Sequence, residues 1–308
     1  MIESFLLVLG LIVLTLGADL LVRGASNIAL RLGLSALLVG LTVVAFGTSA
    51  PELAVSLKAA LNGNGGIAVG NIVGSNIFNV AAILGISALI CPLVVNPNIV
   101  RRDMPVMLGA SLLFVIFLST GSGISRIEGI LLFACLIIYM ALSVRDGIKN
   151  QEESAESSTK PTPLYLNIGF VVIGLTMLIF GAGMFVDNAV LIARALGLSE
   201  ALIGLTIVAA GTSLPELATS VVAALRRQTD IAVGNIVGSN IFNLLCIGGL
   251  TASVHPLNPS GISLLEFGIM LGTSLILLPL MRTGFRLTRP EGGILFASFL
   301  LYLWMIQP

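Results

Sequence analysis

Charged residues are scarce in this sequence. Lys, Arg, Asp and Glu make up 10% of its 308 residues, whereas soluble domains carry about a quarter. Hydrophobic residues make up 56%, and the mean hydropathy is +1.08. These values exclude an ordinary soluble domain and indicate an integral membrane protein in a lipid bilayer. The formal net charge is zero, which removes the electrostatic case for binding nucleic acid or for peripheral attachment to lipid headgroups.

Histidine and cysteine are also scarce. The only histidine, His255, stands in a predicted loop, and the three cysteines lie in different apolar segments without metal-ligand or redox spacing. We interpret Cys91, Cys135 and Cys246 as structural. The sequence shows neither a nucleophile–base pair nor a phosphate-cradling loop. We therefore expect a protein that is not an enzyme and has no cofactor, and no obligate protein partner can be inferred.

Long apolar runs are abundant. A helix needs about 20 apolar residues to cross the hydrocarbon, and clusters of charge, Pro and Gly divide the chain into ten such segments. They are predicted at 3–22, 34–61, 67–91, 104–120, 127–144, 164–188, 198–225, 231–253, 263–281 and 291–306. Residues 146–163 are charged, contain two prolines and are predicted to form a short solvated linker. The sequence therefore predicts an all-α polytopic membrane protein with halves at 1–145 and 164–308.

The chain contains an internal duplication. Residues 17–79 align with 181–243 at a constant offset of 164 without a gap, and 40 of the 63 positions are identical. Each half has five predicted helices, and because five is odd the second half enters the membrane from the opposite side. The repeats are therefore predicted to have inverted topology. In many secondary transporters this arrangement places the ion site at the repeat interface near the midplane.

Basic residues predict the orientation in the membrane. Twelve Lys and Arg residues fall on the predicted side away from the N-terminus, and three fall on the other side. Because cytoplasmic loops carry the excess of Lys and Arg, we expect a cytoplasmic linker and extracellular or periplasmic termini. The corresponding location is the plasma (inner) membrane.

Two predicted helices are too long for the bilayer. Segments 34–61 and 198–225 each have 28 residues, a length of about 42 Å against a hydrocarbon core of about 30 Å. Each contains Gly-Thr-Ser-x-Pro-Glu, at 47–52 and at 211–216. Something must therefore tilt or break these helices.

The two prolines are the predicted break points. Proline lacks an N–H, and its ring collides with the carbonyl four residues earlier. Pro51 should therefore free carbonyls around 45–47, and Pro215 should free those around 209–211. Free backbone at membrane depth persists only where it is buried in protein or lines a wet cavity. Helices two and seven are thus predicted to be discontinuous, with carbonyls available as cation ligands.

Polar side chains surround both breaks. Thr48 and Glu52 are spaced i,i+4, as are their repeat mates, which places hydroxyl and carboxylate on one helix face. The following helices carry two polar stripes of the same spacing: Asn71, Ser75, Asn79 and Asn235, Ser239, Asn243. Carboxylate, hydroxyl, amide and carbonyl oxygens form a hard-cation set that suits Na⁺ or Ca²⁺.

The cost of the two glutamates favours a functional role. An acidic residue at the helix centre costs about 2.5–3.5 kcal/mol on the insertion scale, and neither broken helix has a Lys or Arg near its glutamate. Bound cations or protons are the expected partners of Glu52 and Glu216.

Other polar and small residues leave alternatives open. Four asparagines either hydrogen-bond the broken backbone or bind ions: Asn71, Asn76, Asn235 and Asn240. Four glycines are expected to serve close helix packing: Gly70, Gly74, Gly234 and Gly238. Asp19 and Arg23, spaced i,i+4, are expected to form a local pair at a helix end.

The paired Gly-Thr-Ser-x-Pro-Glu and Gly-Asn-Ile-Val-Gly-Ser-Asn-Ile-Phe-Asn stretches resemble the sodium/calcium exchanger family of the calcium/cation antiporter superfamily, prokaryotic type. The resemblance covers nearly the whole chain. It implies a ten-helix fold in which helices two, three, seven and eight surround the ions while the first and sixth slide across them. It also implies a ligand set: Glu52, Glu216, Thr48, Ser49, Ser75, Asn79, Thr212, Ser213, Ser239 and the carbonyls of Ala45 and Ala209.

One position departs from the family pattern. Where the second repeat of relatives often carries Asp, this chain has Asn243, which we keep among the candidate ligands. Two carboxylates still balance one Ca²⁺. The linker is too short for the calcium-sensing domains of animal relatives.

These observations predict a secondary antiporter that expels Ca²⁺ in exchange for Na⁺. Two alternatives stay open: exchange of H⁺ for Ca²⁺, with Glu52 and Glu216 as proton carriers, and a cation channel. The inverted repeats and the two central breaks favour a transporter over a channel.

Overall fold

The computed structural model describes residues 2–119, 123–149, 163–197 and 209–306. These ranges are nearly all helical. The helices are α1 Ile2–Leu32, α2 Ala36–Thr48, α3 Ala50–Leu61, α4 Gly65–Ile90, α5 Ile99–Ser119, α6 Arg126–Lys149, α7 Leu164–Ala195, α8 Leu214–Leu225, α9 Thr229–Val254, α10 Leu264–Arg282 and α11 Arg289–Met305. A short helical turn, Ala209–Gly211, precedes α8. There are two short strands, β1 Leu93–Val94 and β2 Arg286–Leu287, and they pair in antiparallel orientation.

Seven of the described helices are long and apolar enough to cross a membrane, or eight if the bent pair α2 and α3 forms one span. The seven are α1, α4, α5, α6, α7, α9 and α10. Helix α8 has only 12 residues, because a turn at Thr212 and Ser213 separates it from the helical turn Ala209–Gly211. Residues 198–208 of the predicted segment 198–225 lie outside the described residues. Residues 150–162 of the predicted linker also lie outside them, while α6 extends to Lys149.

Helices α1 and α7 are longer than predicted. They span 31 and 32 residues, whereas the sequence predicted 3–22 and 164–188. The predicted boundary of α1 was wrong because Asp19 and Arg23 were expected near the helix end. Instead α1 continues past them to Gly33, whose φ of 63° is the left-handed conformation that commonly terminates a helix at glycine.

The polar residues within α1 have partners that allow the helix to continue. Asp19 pairs with Arg23 at 2.9 Å and also with Arg226, which follows α8. Asn27 donates to the Asn167 side chain of α7 at 3.2 Å. The expected local pair therefore exists, but it also connects α1 to the second repeat.

Helices α1 and α7 pack backbone to backbone along a glycine seam. A Cβ added at Gly17 would lie 2.9 Å from the carbonyl oxygen of Gly174, and one added at Gly174 would lie 2.8 Å from the carbonyl oxygen of Gly17. Gly10 and Gly181 repeat this reciprocal approach. Larger side chains at these positions would force the two helices apart.

The first broken helix bends where the sequence predicted. Helices α2 and α3 meet at an angle of 45°, and Ser49 between them has φ −83° and ψ 5°. Pro51 occupies the first turn of α3, a position where its missing N–H removes no helical hydrogen bond. The proline therefore starts the second half-helix as well as ending the first.

Helices α4 and α9 form the centre of the molecule. In α9 the apolar stretch of 18 residues that could cross a membrane is entirely buried, and in α4 it is 78% buried. The corresponding stretches of α1, α6 and α7 are only 28–33% buried. Both central helices contain a π-helical stretch, Phe78–Leu84 in α4 and Asn243–Ile247 in α9. Such stretches occur frequently at functional sites.

Candidate ion-binding site

Two serine–glutamate hydrogen bonds connect the repeats at the centre of the protein. Ser213 Oγ donates to Glu52 Oε1 at 2.9 Å, and Ser49 Oγ donates to Glu216 Oε1 at 2.9 Å. Both carboxylates are 1% exposed. Ser213 Oγ also lies 3.3 Å from the hydroxyl of Ser75 on α4. Each repeat therefore positions the carboxylate of the other.

The threonines of the two motifs also contact the opposite repeat. Thr48 Oγ1 donates to Asn235 Oδ1 at 3.2 Å, and Thr212 Oγ1 lies 3.5 Å from Asn71 Oδ1. Thr48 is buried, whereas Thr212 is partly exposed. The i,i+4 spacing predicted that Thr48 shares a face with Glu52, but the hydroxyl instead turns to the second repeat.

Asn71 and Asn235 stabilise the half-helices that carry the glutamates. The side-chain nitrogen of Asn71 donates to the Glu52 carbonyl at 3.2 Å and to Ser56 Oγ at 2.9 Å. Asn235 repeats the pattern with the Glu216 carbonyl at 3.4 Å and with Ser220 Oγ at 3.0 Å. Of the two roles left open for these amides, the structure shows backbone hydrogen bonding.

The candidate ligands further along α4 and α9 differ between the repeats. Asn79 Nδ2 donates to Asn240 Oδ1 at 3.0 Å, whereas neither polar atom of the Asn243 side chain has a hydrogen-bond partner among the described residues. The hydroxyl of Ser239 is also buried and unpartnered within this part of the chain. All three residues are at most 1% exposed.

The backbone break differs from the prediction at Ala45. Its carbonyl was expected to be free, but it accepts a hydrogen bond from the Ser49 N–H at 3.0 Å and one from Thr48 Oγ1 at 3.3 Å. The reason is that Pro51 lacks only its own N–H, whose helical acceptor would be the Gly47 carbonyl, so the hydrogen bond from Ser49 to Ala45 is unaffected. In the second repeat, Ala209 begins the short helical turn before α8.

The two carboxylates keep unused acceptor capacity. Glu52 Oε2 and Glu216 Oε2 are buried and have no hydrogen-bond partner among the described residues, and the same is true of Asn79 Oδ1. Over the same ranges neither glutamate forms a salt bridge. Buried unpaired acceptors are strongly unfavourable. Cations or protons would satisfy these oxygens.

The ligand chemistry is that of hard cations. No group of three or more His, Cys, Asp or Glu side chains lies together in the ranges that the structure describes. The polar atoms at the centre belong to carboxylates, hydroxyls and amides, which suit Na⁺ and Ca²⁺ rather than Zn²⁺ or copper.

Sequence reasoning missed three features of this region. Ser56 and Ser220, one turn beyond the glutamates, bind the amides of Asn71 and Asn235. Their occurrence at matching positions of the repeat is the signal that could have found them. The hydroxyl of Thr219 is buried without a partner among the described residues, and no repeat counterpart marks it, since position 55 is a valine.

The chain is similar to known proteins over nearly its whole length. The family model for "Sodium/calcium exchanger protein" matches residues 3–145 and 166–306. The chain belongs to the sodium/calcium exchanger protein family. This family consists of membrane transporters, so the protein is an antiporter-type transporter and not an enzyme.

Individual relatives match over nearly their full length. The chain is 35% identical to the sodium/calcium exchanger MaX1 of Methanosarcina acetivorans, over 99% of both chains. It is 36% identical to the inner membrane protein YrbG of Escherichia coli, over 99% of this chain and 97% of the relative. Against a solved structure of the sodium-calcium exchanger NCX_Mj, the TM-score is 0.86 at 32% identity, covering 100% of this chain and 99% of the other.

Proposed function

We propose that the protein is a secondary antiporter that expels Ca²⁺ in exchange for Na⁺ moving down its gradient. Its family and the similarity to NCX_Mj support cation antiport involving Ca²⁺. The observation that carries the proposed ion site is the pair of cross-repeat serine–glutamate bonds, which leave one oxygen of Glu52 and one of Glu216 unpartnered among the described residues.

Charge balance supports Ca²⁺ as the exported ion. Ionised Glu52 and Glu216 together carry two negative charges in a buried centre. One Ca²⁺ would neutralise both, and hydroxyl and amide oxygens would complete a coordination shell of six to eight oxygens. Several Na⁺ ions could use the same oxygens in turn.

The proposed ligand set extends beyond the glutamates. It comprises Glu52, Glu216, Thr48, Ser49, Ser75, Asn79, Thr212, Ser213, Ser239 and Asn243, with the carbonyls of Ala45 and Ala209. The Ala45 carbonyl accepts from the Ser49 N–H at 3.0 Å and lies 3.3 Å from Thr48 Oγ1, so these contacts would have to change for that oxygen to bind Na⁺. We therefore expect Thr48 and Ala45 to rearrange together when ions bind.

Shared ligands would couple the two ions. If Na⁺ and Ca²⁺ compete for the same carboxylate oxygens, the protein carries one or the other on each half-cycle. Each ion shifts the equilibrium between outward- and inward-facing states only through its different affinity for the two states. Mutual exclusion therefore produces exchange without a separate coupling device.

The proposed architecture has ten spans in two inverted halves of five. The gapless duplication supports it, as do the reciprocal contacts of Ser49 with Glu216 and Ser213 with Glu52. With twelve basic residues on one predicted side against three on the other, we propose a cytoplasmic linker, outward-facing termini and a place in the plasma membrane.

Exchange of H⁺ for Ca²⁺ is a second candidate. The buried, unpartnered oxygens Glu52 Oε2 and Glu216 Oε2 could each take up a proton instead of a share in a cation. A channel is less well supported, because conduction requires an open path. The candidate ligands Glu52, Ser213 and Ser239 are at most 1% exposed, which suits a site that opens to one side at a time.

Ion flux in proteoliposomes tests the proposal. Vesicles loaded with Na⁺ and diluted into Na⁺-free buffer with labelled Ca²⁺ should accumulate Ca²⁺. Ca²⁺ uptake driven only by an outward proton gradient would show that the counter-ion is H⁺ and not Na⁺. Flux that continues without any counter-ion would indicate a channel, and absence of Ca²⁺ flux under every gradient would overturn the proposal.

A further inference from the structure

The two repeats contain an identical pair of asparagines at the centre. Asn76 and Asn79 on α4 correspond to Asn240 and Asn243 on α9, and both pairs lie in the sequence Gly-Ser-Asn-Ile-Phe-Asn. Because the side chains are the same, a difference in their hydrogen bonding reflects how each repeat is packed. The structure contains such a difference.

One hydrogen bond joins side-chain amides of the two repeats. Asn79 Nδ2 donates to Asn240 Oδ1 at 3.0 Å. Asn240 in turn directs its own Nδ2 towards the Asn76 carbonyl at 3.5 Å. With its nitrogen held in this way, Asn79 keeps its Oδ1 free of other partners among the described residues. That oxygen is the atom which would contact a cation.

The hydrogen bond related to this one by the repeat symmetry is not formed. It would join Asn243 Nδ2 to Asn76 Oδ1, and both of these atoms are buried without a partner in the part of the chain that the structure describes. Asn76 instead directs its Nδ2 to the Ile72 carbonyl of its own helix at 2.7 Å. Asn76 is 2% exposed and Asn243 is 1% exposed, so water does not readily replace the missing partner.

We propose that these four residues form an amide switch. In the state described here Asn240 holds Asn79, and in the opposite state of the transport cycle Asn76 holds Asn243 while Asn79 is released. Asn76 and Asn240 are then positioning residues, and each orients the candidate ligand of the opposite repeat in one state only. The inference rests on the proposed function, since it needs two inverted repeats that exchange conformations.

The physical basis is a balance between the two states. A buried donor and acceptor left unpaired destabilise the state that contains them, and a state that pairs them is favoured. Here each state satisfies one amide pair and leaves the other open. Because the two pairs consist of the same side chains, their contributions oppose each other, and the equilibrium stays responsive to the ions.

Hydrogen exchange of the ion-free protein in lipid nanodiscs tests the switch. Helices α3 and α8 are repeat mates, so the ratio of their deuterium uptake reports which repeat is more open. Asn240→Ala removes the bond of the present state, and Asn76→Ala removes the bond of the opposite state. We expect the two variants to shift the equilibrium in opposite directions, each by about two- to tenfold.

Two further variants sharpen the measurement. The double variant Asn76→Ala with Asn240→Ala should return the uptake ratio close to that of the parent, because neither state keeps its bond. Asn98→Ala, at an exposed asparagine that lies on neither α3 nor α8, should leave the ratio unchanged. If an alanine variant proves unstable, Asn76→Leu and Asn240→Leu remove the same bonds at similar volume and should show the same opposite shifts.

Shifts in the same direction, or no shift for either variant, would overturn the switch. Because the measurement is made without ions, its result is independent of Ca²⁺ transport by the parent. Opposite shifts in a protein that fails to exchange Ca²⁺ would retain the switch and reject the proposed function. A parent that exchanges Ca²⁺ for Na⁺, with variants that do not diverge, would retain the function and reject the switch.

Discussion

The hydroxyl of Ser213 donates a hydrogen bond to the carboxylate of Glu52 over 2.9 Å, although the two residues are 161 positions apart. The mirror contact joins Ser49 to Glu216 at the same distance. Each proline-broken helix thus contributes its serine to the glutamate of the other. This arrangement makes the centre a product of both repeats, and the predictions below test its parts.

Loss of either central charge should nearly abolish transport. We expect Glu52→Gln and Glu216→Gln each to lower the initial rate of Ca²⁺ uptake by tenfold or more, an effect of about 1.4 kcal/mol or larger. The change removes one of two buried charges and keeps a polar side chain of similar size. The control is Glu291→Gln at the capping box of α11. Uptake near the parent's level by either central variant, at equal protein amounts, would reject the proposed site.

The cross-repeat serines should contribute less than the glutamates. Ser49→Ala and Ser213→Ala each remove a hydrogen bond to a charged group, which is worth about 1.5–3 kcal/mol. Since a cation can still bind the carboxylate, we expect the apparent Ca²⁺ affinity to fall by roughly threefold or more. Ser298→Ala, whose hydroxyl binds only the Leu295 carbonyl of its own helix, should have no effect.

A double variant tests whether the serine acts through its glutamate. If Ser49 only positions Glu216, then Ser49→Ala should add little to the defect of Glu216→Gln. Ca²⁺ titrations of the two single variants and the double variant measure this. Additive losses would show that Ser49 contacts the ion independently of that carboxylate.

The glycine seam should determine how well α1 and α7 pack. An alanine Cβ at Gly174 would lie 2.8 Å from the Gly17 carbonyl oxygen and 2.7 Å from the backbone nitrogen of Leu21. We expect Gly174→Ala to destabilise the protein by about 1–3 kcal/mol, measured by thermal unfolding in detergent. The matched control on α7 is Gly183→Ala, since nothing lies within 4 Å of a Cβ there. Equal stability of the two variants would contradict the described packing.

The ion pairs of Asp19 should affect stability more than transport. Asp19→Asn breaks the contacts with Arg23 and Arg226, and partly exposed pairs contribute about 1 kcal/mol or less. We expect slightly lower thermal stability and most of the Ca²⁺ uptake retained. Arg23→Gln, which breaks only the contact within α1, should have a smaller effect. Loss of uptake as severe as that of Glu52→Gln would place Asp19 in the transport machinery.

The predicted orientation can be measured with thiol reagents. In a background where Cys91, Cys135 and Cys246 are replaced by serine, Ser157→Cys in the predicted linker should react only after permeabilisation. Asn62→Cys, on the predicted outer side, should react in intact cells. Labelling of the linker position in intact cells would reverse the proposed topology.

The candidate site could be predicted largely from local sequence patterns. Glu52 and Glu216 are acidic residues within apolar helices. The duplicated motifs carry hydroxyl and amide side chains at matching positions near both glutamates. The bend next to Pro51 followed from the geometry of proline alone. These features depend on residue type and short spacing, so the chain did not have to be folded to recognise them.

Other features depend on contacts between distant helices. Asp19 within α1 pairs with Arg226 of the second repeat, and no local pattern predicts that partner. Thr48 turns to Asn235 rather than towards Glu52, a choice between two acceptors that only the packing of α9 settles.

The sequence by itself determined that this is a membrane protein with duplicated halves and two acidic, proline-broken stretches suited to hard cations. Composition and spacing suffice for those properties, because the cost of placing polar groups in hydrocarbon applies wherever they occur. The tertiary structure alone decided which residues of the two repeats meet. Identical asparagines differ in this way: Asn79 is held by Asn240, whereas Asn243 is not held by Asn76. Two repeats that share the stretch Gly-Ser-Asn-Ile-Phe-Asn therefore differ in conformation there, because the side chains packed against each stretch are different.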